Sequence, residues 1–270
     1  LINLFYTYFK DIPIYHNLGN HDTYPIDQIL PIIYKNFVNS VSDMWMPWFD
    51  INSYNNYKKG GYYYQKLDDH NIMISINTIL LNNHNVLKSR GIYLFNEQHK
   101  WLINLLNTCV KKNIKVWLLG HIFPNAGGST LFYNKYIINI IEKYKNIIKY
   151  QFFGHSHNNQ FIIYPSNNTG FIGPSIMPDK RNPSFKLYKC NDKMDIIDYD
   201  LYEINLKNLI QTDHFHYYKK YNFLKEYDLK HFDILYFYEK ILNNNKIKNK
   251  YIKNYNNFSN FEIINIIKLK

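Results

Sequence analysis

Cysteine is scarce: Cys109 and Cys190 are the two in 270 residues. No disulfide framework can carry the fold on so few, although one bridge between them is left open. Glycine (10) and proline (9) are too sparse for a collagen-like or proline-rich chain. No apolar run approaches the roughly 18–20 uncharged residues of a membrane-spanning helix. The best candidates, around Ile72–Leu81 and Ile263–Leu269, are short or broken by Asn and Lys. Leu1–Lys10 lacks the charged start, apolar centre and small-residue cleavage site of a signal peptide, and the first residue is Leu rather than Met. Acidic residues are in the minority, 21 against 32 Lys and Arg, for a net charge of +11. Such a balance attracts nucleic acid or anionic lipid headgroups, but it also follows from a composition rich in Asn, Ile, Lys and Tyr. No recognised nucleic-acid motif accompanies it, so no specific nucleic-acid partner is expected.

What is present is a chain with 46% apolar and 18% aromatic residues. That is enough to bury a core in one large domain, or in one domain with a small appendage. Four apolar runs read as buried strands bounded by turn residues: Ile12–Tyr15, His70–Asn77, Lys115–Leu119 and Ile147–Phe153. Helical patterns lie between them. One spans roughly Pro25 to Met44. A second is capped by Asn96 and starts at Glu97, with Trp101, Leu102, Leu105, Cys109 and Val110 along one face. A third, Ser129 to Lys145, carries Phe132, Tyr136, Ile140 and Tyr144. Strands alternating with helices predict an α/β domain. After Gly170 come strands over Phe171–Met177, Phe185–Tyr188 and Asp195–Leu206, then aromatic helices over His214–Tyr227 and Leu229–Leu242. The last part, Asn243 to Asn260, reads as a low-complexity solvated stretch or a mobile helix.

Chemistry concentrates in three loops at the ends of apolar runs: Gly19-Asn20-His21-Asp22, Gly120-His121 and Gly154-His155-Ser156-His157. Neutral imidazole suits Zn, Fe, Mn or Ni, and an Asn carbonyl adds a harder oxygen donor. The leading glycine of each loop lets the backbone approach closely. In open α/β sheets such loops lie beyond the carboxyl ends of the strands, where ligands bind. The other histidines considered, His16, His70, His84 and His99, are expected to be ordinary surface or loop residues. Ser156 is read as the variable residue of a metal loop, not a nucleophile.

These three loops resemble the third, fourth and fifth motifs of the calcineurin-like metallophosphoesterases. Finer features resemble the acid sphingomyelinase-like branch. Gln151-Phe152-Phe153 leads into the Gly-His-Ser-His motif, with Phe161 following; Gly173-Pro174-Ser175 precedes Asn182-Pro183-Ser184-Phe185; and Trp101 sits in the helix before Gly120-His121. The resemblance covers about residues 10 to 240. It implies an α/β fold, a metallophosphoesterase-type β-sandwich flanked by helices and lacking its N-terminal strands and motifs. Residues 1–206 are expected to form that domain, and 207–270 a helical C-terminal subdomain with an Asn/Lys-rich tail.

The resemblance also implies roles. Asn20, His121 and His155 would bind one divalent ion and His157 a second, with zinc expected and manganese or iron as alternatives. His21 would contact the phosphate and donate a proton to the leaving oxygen. The activity implied is hydrolysis of a phosphodiester, sphingomyelin first and a nucleotide second, with contact to a membrane surface and no protein partner. A secreted or endolysosomal compartment goes with it, and Asn167 and Asn257 begin glycosylation sequons. The family's Asp-x-His and Gly-Asp motifs have no counterpart before Asn20, where Asp11 has no preceding Gly. Two expectations follow: the C-terminal portion of a longer two-metal enzyme, or an impaired homologue that binds lipid or nucleic acid through its basic surface.

Overall fold

A computed structural model describes residues 2–86, 88–178, 181–206, 216–255 and 266–268. Residues Leu1–His155 and Ser156–Lys270 form two compact units. The first has the α/β order expected. Helix α1 (Ile2–Phe9) is followed by α2 (Pro31–Trp45), α3 (Ile51–Gly60), β1 (Tyr63–Lys66), β2 (Asn71–Ser75), α4 (Lys88–Lys112), β3 (Lys115–Leu119), α5 (Leu131–Lys143) and β4 (Ile148–Phe153). β1 pairs antiparallel with β2, while β2, β3 and β4 run parallel in that order. Parallel neighbours need crossovers, and α4 and α5 supply them. Strands covered on both faces become continuous apolar runs, and β2 is buried along its whole length.

Four local expectations for this unit need correction. The helix expected from roughly Pro25 begins at Pro31. Ile12–Tyr15 is not a strand. Pro13 removes a ladder donor, and this stretch is instead tied to β1 and β2 by side chains. Tyr63 Oη and Ser75 Oγ donate to the His16 carbonyl, and Asn17 Nδ2 donates to Ser75 Oγ and the Ile76 carbonyl. Helix α4 starts at Lys88, not Glu97, because Leu94 and Phe95 extend the buried face; Val110, placed on that face, is exposed. In α5 the buried face is Tyr133, Ile137, Ile140 and Ile141, while Phe132 is 60% exposed. Tyr133 sets that rotation by donating its hydroxyl to the Ile122 carbonyl at 2.5 Å.

The early start of α4 depends on Gly91. A Cβ there would lie 2.1 Å from the Leu80 carbonyl oxygen, a backbone atom with no rotamer to yield. Gly91→Ala is therefore expected to cost about 2–3 kcal/mol despite the better helix propensity of alanine. A urea denaturation midpoint would show it.

His16, expected to be an ordinary residue, is caged by aromatic rings. It stacks on Trp45 at 4.2 Å and 5°, with Phe49, Tyr57 and Tyr63 around it. Both ring nitrogens are shielded from solvent and lack hydrogen-bond partners. Desolvation pushes its pKa down to about 3. The unfolded imidazole titrates near 6.5, so between those values the unfolded chain binds more protons. The stabilisation is whole above pH 6.5 and is lost as pH falls toward 3, by up to about 1.4 kcal/mol per pH unit. In His16→Phe, the slope of stability against pH between 6 and 4 is expected to flatten.

The second unit contains β5 (Gln160–Ile163), β6 (Thr169–Ile172), β7 (Ser184–Cys190), β8 (Ile196–Glu203), β9 (Tyr218–Asn222), α6 (Phe223–Glu226), α7 (Ile234–Asn243), α8 (Asn245–Tyr255) and β10 (Ile266–Lys268). β5 pairs antiparallel with β6 and parallel with β10. β7, β8 and β9 form an antiparallel three-stranded sheet. The helix expected over His214–Tyr227 is corrected: Tyr218–Asn222 is a strand and only Phe223–Glu226 is helical, residues 214 and 215 lying outside those described. Cross-strand charge explains the switch. Lys219 pairs with Asp200 at 2.7 Å and Lys220 with Glu203 at 2.8 Å, while Tyr221 is buried. The strand expected over Phe171–Met177 ends at Ile172, and the helix expected from Leu229 begins at Ile234. In the stretch read as solvated or as a mobile helix, Asn245–Tyr255 forms α8, with Tyr251 buried; residues 256–260 lie outside those described. Cys109 is buried and Cys190 exposed, and no disulfide joins them.

Candidate metal centre

The centre is built in the first unit from three loops, two of which follow β3 and β4. In the first, a tight turn decides which side chain faces inward. Gly19 N donates to Asp22 Oδ2 at 2.8 Å, and Asp22 N donates to the Gly19 carbonyl at 3.1 Å. Thr23 Oγ1 and Asp27 N both donate to the Asn20 carbonyl. Asn20 is buried as a result and His21 is exposed. Glycine at position 19 matters because a Cβ would come 3.2 Å from the His121 ring.

The second and third loops are held side by side by the β3–β4 ladder. Gly120 N donates to the Phe152 carbonyl at 2.9 Å and Gly154 N to the His121 carbonyl at 3.0 Å. A Cβ on Gly120 would lie 2.9 Å from the Phe153 ring, so the loop fits no larger residue without movement. Thr78, just past the end of β2, accepts from the backbone N–H groups of His121 (3.2 Å) and Ile122 (2.8 Å).

Three donor atoms converge. Asn20 Oδ1 lies 2.8 Å from His121 Nε2 and 3.3 Å from His155 Nδ1. The two rings are 5.2 Å apart between centroids, at 80°. His155 has φ +71, and its Nε2 lies 2.7 Å from the Gly127 carbonyl. A carbonyl only accepts, so Nε2 carries the hydrogen and Nδ1 presents its lone pair to the cluster. This is the outer-shell arrangement that orients metal-binding histidines.

The donors fit a divalent ion. Ligands about 2.0–2.2 Å from a tetrahedral zinc ion sit roughly 3.3–3.5 Å from one another; the Asn20–His155 separation of 3.3 Å matches that, while Asn20 and His121, at the 2.8 Å of a hydrogen bond, would move apart by about half an ångström to admit the ion. Two imidazole nitrogens and an amide oxygen suit a borderline metal. Among the described residues there is no group of three or more His, Cys, Asp and Glu placed to hold an ion, so the third donor here is an amide.

Of the residues singled out in the sequence, Asn20, His121 and His155 are brought together. His21 points outward from the same turn. His157 belongs to the second unit, half-buried with φ +59. Ser156 Oγ donates to Gln160 Oε1 at 2.6 Å, which occupies its hydrogen. Sequence reasoning missed Thr78 and the Gly127 carbonyl. Thr78 was detectable as a polar residue at a strand's carboxyl end; a backbone carbonyl leaves no trace in side-chain identity.

Imidazole and amide donors gathered beyond the carboxyl ends of parallel strands make this an α/β protein with a candidate metal centre. The chain belongs to the calcineurin-like phosphoesterase family, whose model matches residues 1–159. That family is metal-dependent. The chain is 30% identical to the cyclic GMP-AMP phosphodiesterase SMPDL3A of Homo sapiens, over 74% of this chain and 49% of the relative. It is also 30% identical to acid sphingomyelinase-like phosphodiesterase 3b of Mus musculus, over 78% and 49%. Sphingomyelinase phosphodiesterase C of Dictyostelium discoideum is 28% identical over 78% and 52%. The chain thus spans about half the length of the curated relatives it matches.

Proposed function

We propose that this chain carries part of the active centre of a metal-dependent phosphodiester hydrolase. The observation that carries this reading is the convergence of Asn20 Oδ1, His121 Nε2 and His155 Nδ1, with His155 oriented from behind by Gly127. Asn20, His121 and His155 would hold one divalent ion, and His157 would contribute to a second. When bound, such ions neutralise charge on the phosphoryl oxygens and lower the pKa of an attacking water. Zinc is the proposed metal, with manganese or iron as alternatives. His21, exposed beside Asn20, would protonate the leaving oxygen, a task an imidazole side chain can perform as a general acid.

The substrate class is supported by the relatives, which are named for cyclic GMP-AMP and sphingomyelin. Release of phosphocholine from sphingomyelin, or of nucleotides from cyclic GMP-AMP, with inhibition by EDTA and recovery with Zn2+, tests the reading directly. Absence of hydrolysis of either, and of bis(p-nitrophenyl) phosphate, together with no binding of Zn2+ by the chain, would overturn it.

The net charge of +11 favours a second reading, a basic surface that meets anionic membranes. Salt-sensitive vesicle binding that survives His121→Ala and His155→Ala would separate that contact from catalysis. Among the described residues no helix is long and apolar enough to cross a membrane. A secreted or endolysosomal setting is proposed from the family resemblance. Asn167 supports it: the sequon lies at the exposed tip of the β5–β6 hairpin, where Asn167 N donates to the Tyr164 carbonyl. Expressed through a secretory pathway, the chain is expected to lose mass on glycosidase treatment, and Asn167→Gln to lose that portion.

A further inference from the structure

A cavity of about 350 Å³ lies in the first unit, walled by Leu80, Leu81, Ile92, Phe95 and Phe132. None of its lining residues is charged. Its polar members are Asn82, Asn96 and Thr130, of which Asn96 lies exposed at the rim and the other two are tied into the fold. Thr130 Oγ1 accepts from Tyr133 N at 3.1 Å, capping α5. Asn82 Nδ2 donates to Asp27 Oδ1 at 2.5 Å, and Asn82 Oδ1 accepts from His84 N at 3.0 Å. A nucleobase edge entering here would meet mostly apolar carbon and no charged group.

The cavity wall is fastened to the metal loop. Asn82 forms a β-bridge with Ser129, and Asn83 N donates to the Gly128 carbonyl at 3.0 Å. The preceding residue, Gly127, receives the His155 Nε2 hydrogen. Thr130, in the lining, is three residues beyond Gly127, a span of at most about 11 Å along extended chain. Ile92 and Phe132, at 50% and 60% exposure, leave the cavity accessible.

We propose that this cavity is a subsite for an unbranched alkyl group of the phosphodiester substrate, so that the centre selects diesters by the length of an apolar chain. The inference rests on the phosphodiesterase reading above and adds a residue-level basis for substrate choice. A pocket of this size, walled mainly by apolar side chains and free of charge, gains affinity from each methylene it removes from water.

The test uses non-hydrolysable alkylphosphonates from methyl to octyl, titrated calorimetrically into the full chain with Zn2+ present. Affinity is expected to rise by up to about fourfold per methylene until the cavity is filled. Ile92→Lys and Phe132→Ser, both at half-exposed positions, are expected to bring that factor close to one while leaving the melting temperature near the parent's. Methylphosphonate binding without chain-length dependence would overturn the subsite and leave the phosphodiesterase reading standing. A chain-length dependence unchanged in both variants would likewise overturn it. Failure of every phosphonate to bind would bring down the reading itself. Loss of the dependence together with concentration-dependent dimerisation would assign the apolar face to a second copy and overturn the proposal.

Discussion

His155→Ala is expected to weaken Zn2+ binding by about 100-fold or more and to lower phosphodiester hydrolysis by about 10³. The substitution removes a donor directly: Nδ1, 3.3 Å from Asn20 Oδ1. It also abandons the Gly127 carbonyl, which receives the other ring nitrogen at 2.7 Å. Asn20 keeps a partner in His121 at 2.8 Å, so the first loop retains its anchor. The effect should therefore fall on metal content far more than on folding. Elemental analysis of purified protein, beside a thermal melt, reads both. His155→Ala with a full zinc complement would remove the residue from the centre.

Phe223→Ala is expected to destabilise the second unit by about 3–5 kcal/mol. Phe223 is fully buried and touches Phe161, Tyr199, Tyr227, Phe232 and Phe237, with ring centroids 4.8 to 5.7 Å apart. Its neighbours come from β5, β8, α7 and the turn after α6, so no single element can close over the void. Much of the residual cavity would stay open, and cavity volume adds to the lost transfer energy. On α7 itself Tyr236 is 52% exposed, and Tyr236→Ala should stay within about 0.5 kcal/mol. Equal effects from the two substitutions in urea denaturation would contradict the aromatic core.

The centre and the second-unit core differ in how legible they are from sequence. β2 and β3 are readable because strands buried on both faces are largely apolar, and turn residues end them. The Gly-His and Gly-Asn-His loops are readable because close backbone approach requires glycine and metal chemistry requires few residue types. The α/β class and the family follow from those features alone.

The rest depends on partners distant in sequence. Asn20 meets His121 across 101 residues and His155 across 135, so the trio's geometry has no local signature. Tyr218–Asn222 looks helical by its aromatic spacing, but Asp200 and Glu203 on the neighbouring strand make it a strand. Gly91 has its reason only in the fold, where the Leu80 carbonyl lies 2.1 Å from the place its Cβ would take. His16 reads as an incidental histidine until four aromatic rings close around it. Residue identity and spacing establish which chemistry is present and which strands carry it. Packing establishes which donors meet, which faces are buried and which nitrogens lose their water, because those energies belong to contacts that the linear order does not contain.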